Sequence, residues 1–315
     1  MKYNKPKVLI SKCLEFDACR YDGALITNKY IKKLKKYIDF ITVCPEVEIG
    51  LGIPRSPIHL INNKNKFTLY QPSTKKDLGA EMLNFSKKFI NSLDNIDGIL
   101  LKSKSPSCAL KTSKQYPNID SKQSFKQGPG LFTQQLIYNY EYIPKEEETR
   151  LNDFFLREHF YTSIFIIADF KKINSFKKLY NYHAKHKLLF MTYNQLKLKT
   201  LGKIAANHEG LNFDLVRKKY YNLLLKLLYR RPKYTSHINT QMHAFGYYKK
   251  HLSKSEKQYF ITLLTQFKQK KISVSNLNNI LSSWNIRFEN DYLLNQSYFK
   301  PYPDDLIESN SSRMQ

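Results

Sequence analysis

Val8-Leu9-Ile10-Ser11-Lys12-Cys13 joins a short apolar run to a cysteine. The arrangement recurs twice, because Phe40-Ile41-Thr42-Val43 precedes Cys44 and Gly98-Ile99-Leu100-Leu101 is followed by Cys108. Short apolar runs bounded by polar residues are typical of buried strands. Parallel strands end at a common sheet edge, which is where open α/β sheets place their chemistry. We therefore expect the three thiols to converge at that edge.

The rest of the first half alternates helix and strand patterns. Apolar residues at helical spacing predict helices over residues 30–38 and 78–93, and residues 131–138 are interpreted as a last element of this half. Thr74 and Asp77 resemble a capping box at the start of the second of these helices. The alternation favours an α/β domain, Rossmann-like, with a parallel sheet and helices on both faces.

The second half is predicted to be an all-α domain. The charged stretch 144–148 interrupts the periodic pattern, and we interpret it as a linker. The predicted helices after it span residues 151–169, 176–193, 213–231, 239–251 and 256–269. The expected organisation is an α/β domain over residues 1–145, a helical domain over residues 150–303 and a polar tail over residues 304–315.

The positive charge is concentrated in the helical half. The chain has a formal net charge of +26 over 315 residues, and residues 151–270 contain 23 basic but only 6 acidic side chains. Such a surface attracts polyanions, so nucleic acid, an anionic membrane and acidic protein are the candidate partners. Of these we expect RNA, with no role for DNA or a membrane, on the further features given below. The N-terminus lacks an apolar leader, so we expect a cytoplasmic protein whose four cysteines are thiols or metal ligands.

Three thiols at strand ends favour a metal site over unrelated buried cysteines. Thiolates are soft ligands, and three of them leave one position of a metal centre free. Cys19 has two interpretations. As a fourth ligand it would close the site, as in a structural zinc or an electron-transfer cluster; as a bystander it would leave the site open, and we favour the latter.

Several polar residues accompany the cysteines. Glu46 follows Cys44 by two residues and is a candidate general acid or base, whereas Glu48 is interpreted as a structural acid. Arg20, Tyr21 and Arg55 are either turn and salt-bridge residues or contacts to a phosphate or a base edge.

The helical half contains histidines and mixed basic–aromatic clusters. His183 and His186 share a helical face, and nucleic-acid contact or packing is favoured over metal binding because no third ligand is near in sequence. Basic residues interleaved with tyrosines suit phosphate contacts and base stacking. The candidate RNA contacts of this half are His183, His186, Lys187, Arg230, Arg231 and His243.

The cysteine motifs closely resemble the TudS-like thiouracil desulfidase family. The matching segments are Ile10-Ser11-Lys12-Cys13-Leu14, Cys19-Arg20-Tyr21-Asp22-Gly23, Val43-Cys44-Pro45-Glu46, Gly50-Leu51-Gly52-Ile53-Pro54-Arg55 and Lys102-Ser103-Lys104-Ser105-Pro106-Ser107-Cys108. The helical half resembles the domain of YbgA-type proteins, with His186-Lys187, Leu201-Gly202 and Gly246-Tyr247 among the matching residues. Residues 15–19, with the extra thiol, and Ala109 depart from the family pattern.

The resemblance implies a 4Fe–4S cluster on Cys13, Cys44 and Cys108 with one iron not ligated by protein. It also implies catalytic roles for Glu46 and Ser105. The expected activity is desulfuration of 4-thiouridine in tRNA to uridine, with hydrosulfide as the second product and no net redox. Two alternatives remain open: a desulfidase of free thiouracil or thionucleosides, and a non-catalytic RNA-binding metalloprotein.

Overall fold

The computed structural model describes residues 3–307, and these residues form two compact units. The first unit comprises the described residues as far as Ala168 and those after Asp304, and the second unit is Asp169–Asp304. None of the helices in the described range combines the length and the apolar character needed to cross a membrane.

Nine strands lie in the first unit. They are β1 (Lys7–Ser11), β2 (Asp39–Val43), β3 (His59–Asn63), β4 (Lys66–Gln71), β5 (Lys76–Asp77), β6 (Gly98–Leu101), β7 (Ser113–Tyr116), β8 (Lys126–Gly128) and β9 (Lys145–Glu147). Four of these strands form a parallel sheet in the order β2-β1-β6-β9. The other five form a mixed sheet in the order β5-β4-β3-β7-β8.

Twelve α-helices lie in the described range. They are α1 (Lys29–Leu34), α2 (Pro45–Glu48), α3 (Gly79–Ser92), α4 (Leu131–Asn139), α5 (Phe154–Lys171), α6 (Phe176–Tyr193), α7 (Gln195–Ala206), α8 (Phe213–Leu228), α9 (Tyr234–Gly246), α10 (Lys254–Lys268), α11 (Val274–Arg287) and α12 (Asp291–Leu294). The second unit is helical, so the predicted fold class, α/β followed by all-α, is confirmed.

The parallel sheet is built from the cysteine-bearing strands. Strand β1 is flanked by β2 and β6, and its consecutive residues Val8, Leu9 and Ile10 are fully buried, so both faces of the sheet are covered here. Helix α5 packs tightly against β6, since a Cβ at Gly98 would lie only 2.6 Å from Ile164 Cγ2. This glycine therefore sets how closely helix and strand approach.

The predicted linker at residues 144–148 is wrong, because part of it is strand β9 of the parallel sheet. Glu146, Glu147 and Glu148 are all buried, and each has polar partners in the fold. Glu147 Oε1 accepts from the backbone N–H groups of Leu110 and Lys111 at 2.7 and 2.8 Å. The charge of these glutamates therefore indicated a solvent-exposed segment, whereas hydrogen-bond partners that are distant in sequence allow the glutamates to be buried.

Some helix boundaries also differ from the prediction. Thr74 and Asp77 do not form a capping box, since residues 76–77 are strand β5; Asp77 Oδ1 instead accepts from Gly79 N at 2.8 Å. Helices α7 and α11 were not predicted, and α9 begins five residues earlier than expected. At the predicted polar tail, Asp304–Leu306 forms a 3₁₀ turn with Leu306 buried, while residues 308–315 lie outside the described range.

Candidate metal centre

Cys13 and Cys44 leave the parallel sheet at the same edge. Ser11 pairs with Val43 at the ends of β1 and β2, and Lys12 N donates to Val43 O at 2.8 Å. Cys13 lies two residues after the end of β1, and Cys44 follows β2 directly. Both thiols are buried.

A loop after β6 brings Cys108 to this edge. Ser105 Oγ accepts hydrogen bonds from the N–H groups of Ser107 at 3.2 Å and Cys108 at 3.0 Å, which closes a tight turn. The turn lies against the start of α4, where a Cβ at Gly130 would lie 2.4 Å from Ser107 O. The Ser11 side chain hydrogen-bonds to the Cys108 thiol and so links the loop to β1.

The three thiols are close enough to influence one another's ionisation. Burial raises the pKa of Cys13 to about 12, and the charge of Cys44 adds to the shift. Burial also raises the pKa of Cys108, with further contributions from Glu46, Cys44 and Cys13. Buried thiolates of this kind need a compensating positive charge, which a bound metal supplies.

Cys19 lies against Cys44, so it belongs to the same cluster of thiols. Its thiol hydrogen-bonds to Cys44, which lowers the pKa of Cys44 to about 7 and raises that of Cys19. Cys44 Sγ also lies 3.7 Å from Cys19 O. A neutral Cys44 thiol can donate a hydrogen bond to this carbonyl, whereas a Cys44 thiolate has no hydrogen to donate. The Val47 N–H also lowers the pKa of Cys44, so the thiol and the thiolate coexist near pH 7.

The donor set, four buried thiols, suits an iron–sulfur cluster by its chemistry, since such clusters are held by cysteine thiolates. Within residues 3–307 no three His, Cys, Asp or Glu side chains are arranged around one metal position. A single zinc needs every ligand about 2.0–2.3 Å away, whereas cluster cysteines bind different irons and stand further apart. All four cysteines are free and buried, so sulfur is the main kind of ligand atom at this edge.

Glu46 is held beside the thiols by four side-chain contacts. Arg55 donates to Glu46 Oε2 through Nε at 3.0 Å and Nη2 at 2.7 Å. Ser107 Oγ donates to Glu46 Oε1 at 3.0 Å, and Ser105 Oγ lies 3.4 Å from the same atom. Glu46 is buried, and its charge acts on Cys13, Cys44 and Cys108. Carboxylate and thiols therefore form one site.

Arg55 is a structural partner of this site. Only 5 % of its side chain is exposed, and its Nη1 donates to Cys19 O at 3.0 Å. Of the two interpretations given to Arg55, the salt bridge is the one that the structure shows. Arg20 lies over the ring of the half-exposed Tyr21 and pairs with Asp22 at 3.3 Å.

Sequence reasoning missed several residues around the site. Ser107 has a shorter contact to Glu46 than Ser105 has, although only Ser105 was singled out. Glu148 pairs with Lys102 Nζ at 2.6 Å and accepts from Ser103 N at 2.6 Å, which fixes the start of the cysteine loop. The apparent linker composition concealed Glu148, and no local signal marked it.

In the second unit, the structure separates the two histidines that the helical spacing paired. His186 is 1 % exposed, and its Nδ1 is 2.7 Å from Ser297 Oγ, so packing is its role and contact with RNA is excluded in this conformation. His183 is partly buried with Nδ1 2.9 Å from Tyr220 OH, while Lys187 is exposed.

The remaining predicted RNA contacts lie on the surface of the second unit. Arg230, Arg231 and His243 are exposed. The neighbouring tyrosines differ in exposure: Tyr220 and Tyr248 are buried, whereas Tyr229 and Tyr247 are about half exposed. Only part of each basic–aromatic cluster is therefore accessible to a partner.

The two units match two protein families. A family model described as 2-thiouracil desulfurase matches residues 8–148, and one described as protein of unknown function DUF1722 matches residues 187–303. The uncharacterized protein YbgA of Escherichia coli K12 is 25% identical over 126 residues, covering 40% of this chain and 75% of YbgA. The uncharacterized protein YbbK of Bacillus subtilis 168 is 28% identical over 113 residues, covering 32% of this chain and 72% of YbbK.

A solved structure is also similar to part of the chain. The [4Fe-4S]-dependent thiouracil desulfidase TudS is 26% identical, covers 47% of this chain and 94% of its own, and superimposes with a TM-score of 0.36. The two family models together assign residues 8–148 to the 2-thiouracil desulfurase family and residues 187–303 to the DUF1722 family.

Proposed function

We propose that this protein is an iron–sulfur-dependent desulfidase of thiolated uracil, with 4-thiouridine in tRNA as the preferred substrate. The contact of Glu46 with Ser105 and Ser107, directly beside three buried thiols, is the observation that carries the proposal. Membership of residues 8–148 in the 2-thiouracil desulfurase family supports it. The products are uridine and hydrosulfide, formed in the cytoplasm.

Cys13, Cys44 and Cys108 would hold a 4Fe–4S cluster, with Cys19 as a bystander. Such a cluster, when bound through three cysteines, supplies one iron free to act as a Lewis acid toward a soft thiocarbonyl sulfur. The oxygen of ordinary uracil is a harder donor. Selectivity for the thiolated base would then follow from the ligand chemistry, without contacts that read sequence.

The protein residues would handle water and protons. Arg55 occupies Glu46 Oε2, so Oε1, which faces the two serines, is the oxygen that can accept a proton from water. Ser105 and Ser107 would orient that water. They would also stabilise the negative charge that develops on the atoms bonded to the thiocarbonyl carbon when water attacks it. One water replaces one sulfur, which leaves as hydrosulfide, and no electrons are gained or lost.

RNA is the proposed macromolecular partner of the second unit. Its high density of lysine and arginine supports binding to phosphates, and Arg230, Arg231 and Lys187 are exposed candidates. A base in folded RNA must leave its stack to reach a buried site, so base flipping is part of the proposal. Arg20, which is partly exposed, and Tyr21, which is exposed, are candidates on the first unit to contact it.

The test is sulfide release under anaerobic conditions. Cluster-loaded protein is incubated with tRNA containing 4-thiouridine, and separately with free 4-thiouridine and 4-thiouracil. Release from tRNA, with much slower release from the free compounds, is the expected result. Faster release from the free compounds would favour a salvage enzyme. Iron-containing protein that releases no sulfide from any of them would indicate a non-catalytic metalloprotein and overturn the proposal.

A further inference from the structure

The second unit contains a cleft outside the cysteine site. Its volume is about 400 Å³, and it lies among helices α6, α7, α9 and α12. This volume is within the usual range of small-molecule sites. The side chains that matter for recognition are Tyr180, His183, Lys187, Tyr247 and Tyr292, and Gly202 forms part of the wall.

His183 presents a hydrogen-bonding nitrogen to this cleft. Its Nδ1 lies 2.9 Å from the hydroxyl of Tyr220, which is fully buried. Burial lowers the pKa of His183 to about 4 and raises that of Tyr220, so both groups are neutral at pH 7. The Tyr220 hydroxyl can donate to Nδ1, which leaves the hydrogen of the neutral ring on Nε2 as a donor.

Gly202 keeps His183 Nε2 accessible. A Cβ at position 202 would lie 3.5 Å from Nε2 and 3.8 Å from Cε1, which is ordinary contact distance. The methyl group of an alanine there would therefore lie against the nitrogen without a clash. Glycine in a helix interior makes the helix less stable than alanine would. Open access to His183 Nε2 is a reason for glycine to occupy this position despite the lower stability.

The rest of the cleft offers one cation and aromatic faces. Lys187 is exposed and makes no hydrogen bond or salt bridge within residues 3–307. Tyr247 is 48 % exposed and stacks on Tyr292 with ring centroids 5.4 Å apart. A flat ring can stack on such a pair, and an anionic group can bind the lysine.

We propose that this cleft binds a nucleoside monophosphate unit. The base stacks at Tyr247 and Tyr292, a base carbonyl accepts from His183 Nε2, and the phosphate binds Lys187. The surplus of positive charge in residues 151–270 favours this anionic ligand over a neutral aromatic compound. The unit comes either from a free nucleotide or from single-stranded RNA, and only the RNA source depends on the proposed function.

Calorimetric titration of the full chain tests the proposal with UMP, uridine and inorganic phosphate as probes. UMP should bind about tenfold more tightly than uridine or phosphate alone, because it uses both halves of the cleft. Lys187→Gln should reduce UMP affinity to that of uridine and leave uridine unchanged. Lys203→Gln is the matched control, since Lys203 is an exposed lysine of α7 that does not line the cleft.

Gly202→Ala is the second variant, and it should keep the fold because alanine is the better helix former. This variant should weaken the binding of both UMP and uridine, since the alanine methyl group covers His183 Nε2. Competition by oligouridylate distinguishes the two sources. If oligouridylate binds more tightly than UMP, and both variants lose this affinity as they lose affinity for UMP, the natural ligand is RNA. If oligouridylate binds as tightly as UMP or more weakly, the natural ligand is a free nucleotide. UMP binding that neither variant alters, or no binding of either ligand, would overturn the proposal. Sulfide release is not measured, so a failure here leaves the desulfidase proposal untouched.

Discussion

Arg55 and Glu46 are joined by two hydrogen bonds to a single carboxylate oxygen, Oε2, at 3.0 and 2.7 Å. The other oxygen, Oε1, is left to the two serine hydroxyls. A carboxylate that is immobilised on one side and open to small hydroxyl groups on the other is well arranged for proton transfer at a fixed position. Arg55 also binds Cys19 O, so it ties the carboxylate to the cysteine loop.

Glu46→Gln should remove the proposed base with little change in shape. We expect sulfide release to fall by about 10²–10⁴-fold, the usual contribution of general acid–base catalysis. Iron content and the visible spectrum should stay the same, because glutamine is not one of the thiol ligands. Glu48→Gln is the matched control, since Glu48 is exposed and two residues away. Equal activity in both variants would exclude Glu46 as the base.

Cys19→Ser tests whether the fourth thiol is a ligand. Cys19 contacts Cys44 directly, and we expect the serine hydroxyl to take over this contact. Iron and acid-labile sulfide per chain, measured after anaerobic reconstitution, should therefore match the parent protein. Cys44→Ser is the comparison variant and should lose most of its iron. If Cys19→Ser loses iron to the same extent, the cluster has four protein ligands and no free corner.

Glu147→Gln should destabilise the first unit through the loop that follows Cys108. Glu147 Oε1 accepts from three consecutive N–H groups, Leu110 to Thr112, and from Thr112 Oγ. Hydrogen bonds to a charged acceptor are roughly twice as strong as neutral ones, so losing the charge should cost about 2 kcal/mol of unfolding free energy. Thermal unfolding by circular dichroism measures this loss. Glu141→Gln, at an exposed position, should change nothing.

The buried glutamates also show where sequence reasoning failed. The strands before Cys13, Cys44 and Cys108 could be predicted because each is a continuous apolar run, and such runs indicate burial whatever their neighbours are. Residues 145–148 have the opposite composition. Their burial depends on distant partners such as Lys102 and the N–H groups of residues 110–112, which no local pattern specifies.

The histidines illustrate the same limit in the second unit. A spacing of three residues placed His183 and His186 on one helical face, yet one lines a cleft and the other is enclosed in the core. Helical spacing defines only the angle of a side chain around the helix axis. Neighbouring helices can cover one part of a helical face and leave the other part of the same face open. Which part is covered depends on how α6 packs, and that information is not local.

Binding of tRNA should weaken steeply with salt if the second unit contacts phosphates as proposed. The logarithm of the association constant should fall linearly with the logarithm of salt concentration, by about 0.9 per phosphate contact. Filter binding between 50 and 200 mM salt provides the slope. Replacing Arg230 and Arg231 together by glutamine should reduce the slope by about 2. Arg287→Gln is the control, because Arg287 already pairs with Glu256 at 2.7 Å. A flat salt dependence would contradict RNA binding through phosphates.

Acidification should destabilise the second unit through its buried histidines. Burial lowers the pKa of both His183 and His237 to about 4, and it also lowers the pKa of His186 well below its usual value. In the unfolded chain these groups titrate near 6.5, so between pH 6.5 and 4 the unfolded chain binds more protons than the folded one. The stabilisation is complete above pH 6.5 and is lost as the pH falls toward 4.

At pH 5.5 the loss relative to pH 7.5 should be about 1.4 kcal/mol for each of His183 and His237, and His186, whose pKa burial also lowers, adds to this loss. Trp284, the single tryptophan of the chain, is buried in α11 and provides a fluorescence signal for urea unfolding of this unit. His237→Gln should reduce the pH dependence by about 1.4 kcal/mol, the contribution of one histidine, since glutamine does not titrate. The variant also weakens the contact of His237 Nδ1 with Tyr298 OH at 3.1 Å, which lowers stability equally at both pH values and leaves the difference interpretable. The same free energy of unfolding at pH 7.5 and 5.5 in the parent protein would show that these histidines are hydrated and that the packing around them is looser than described.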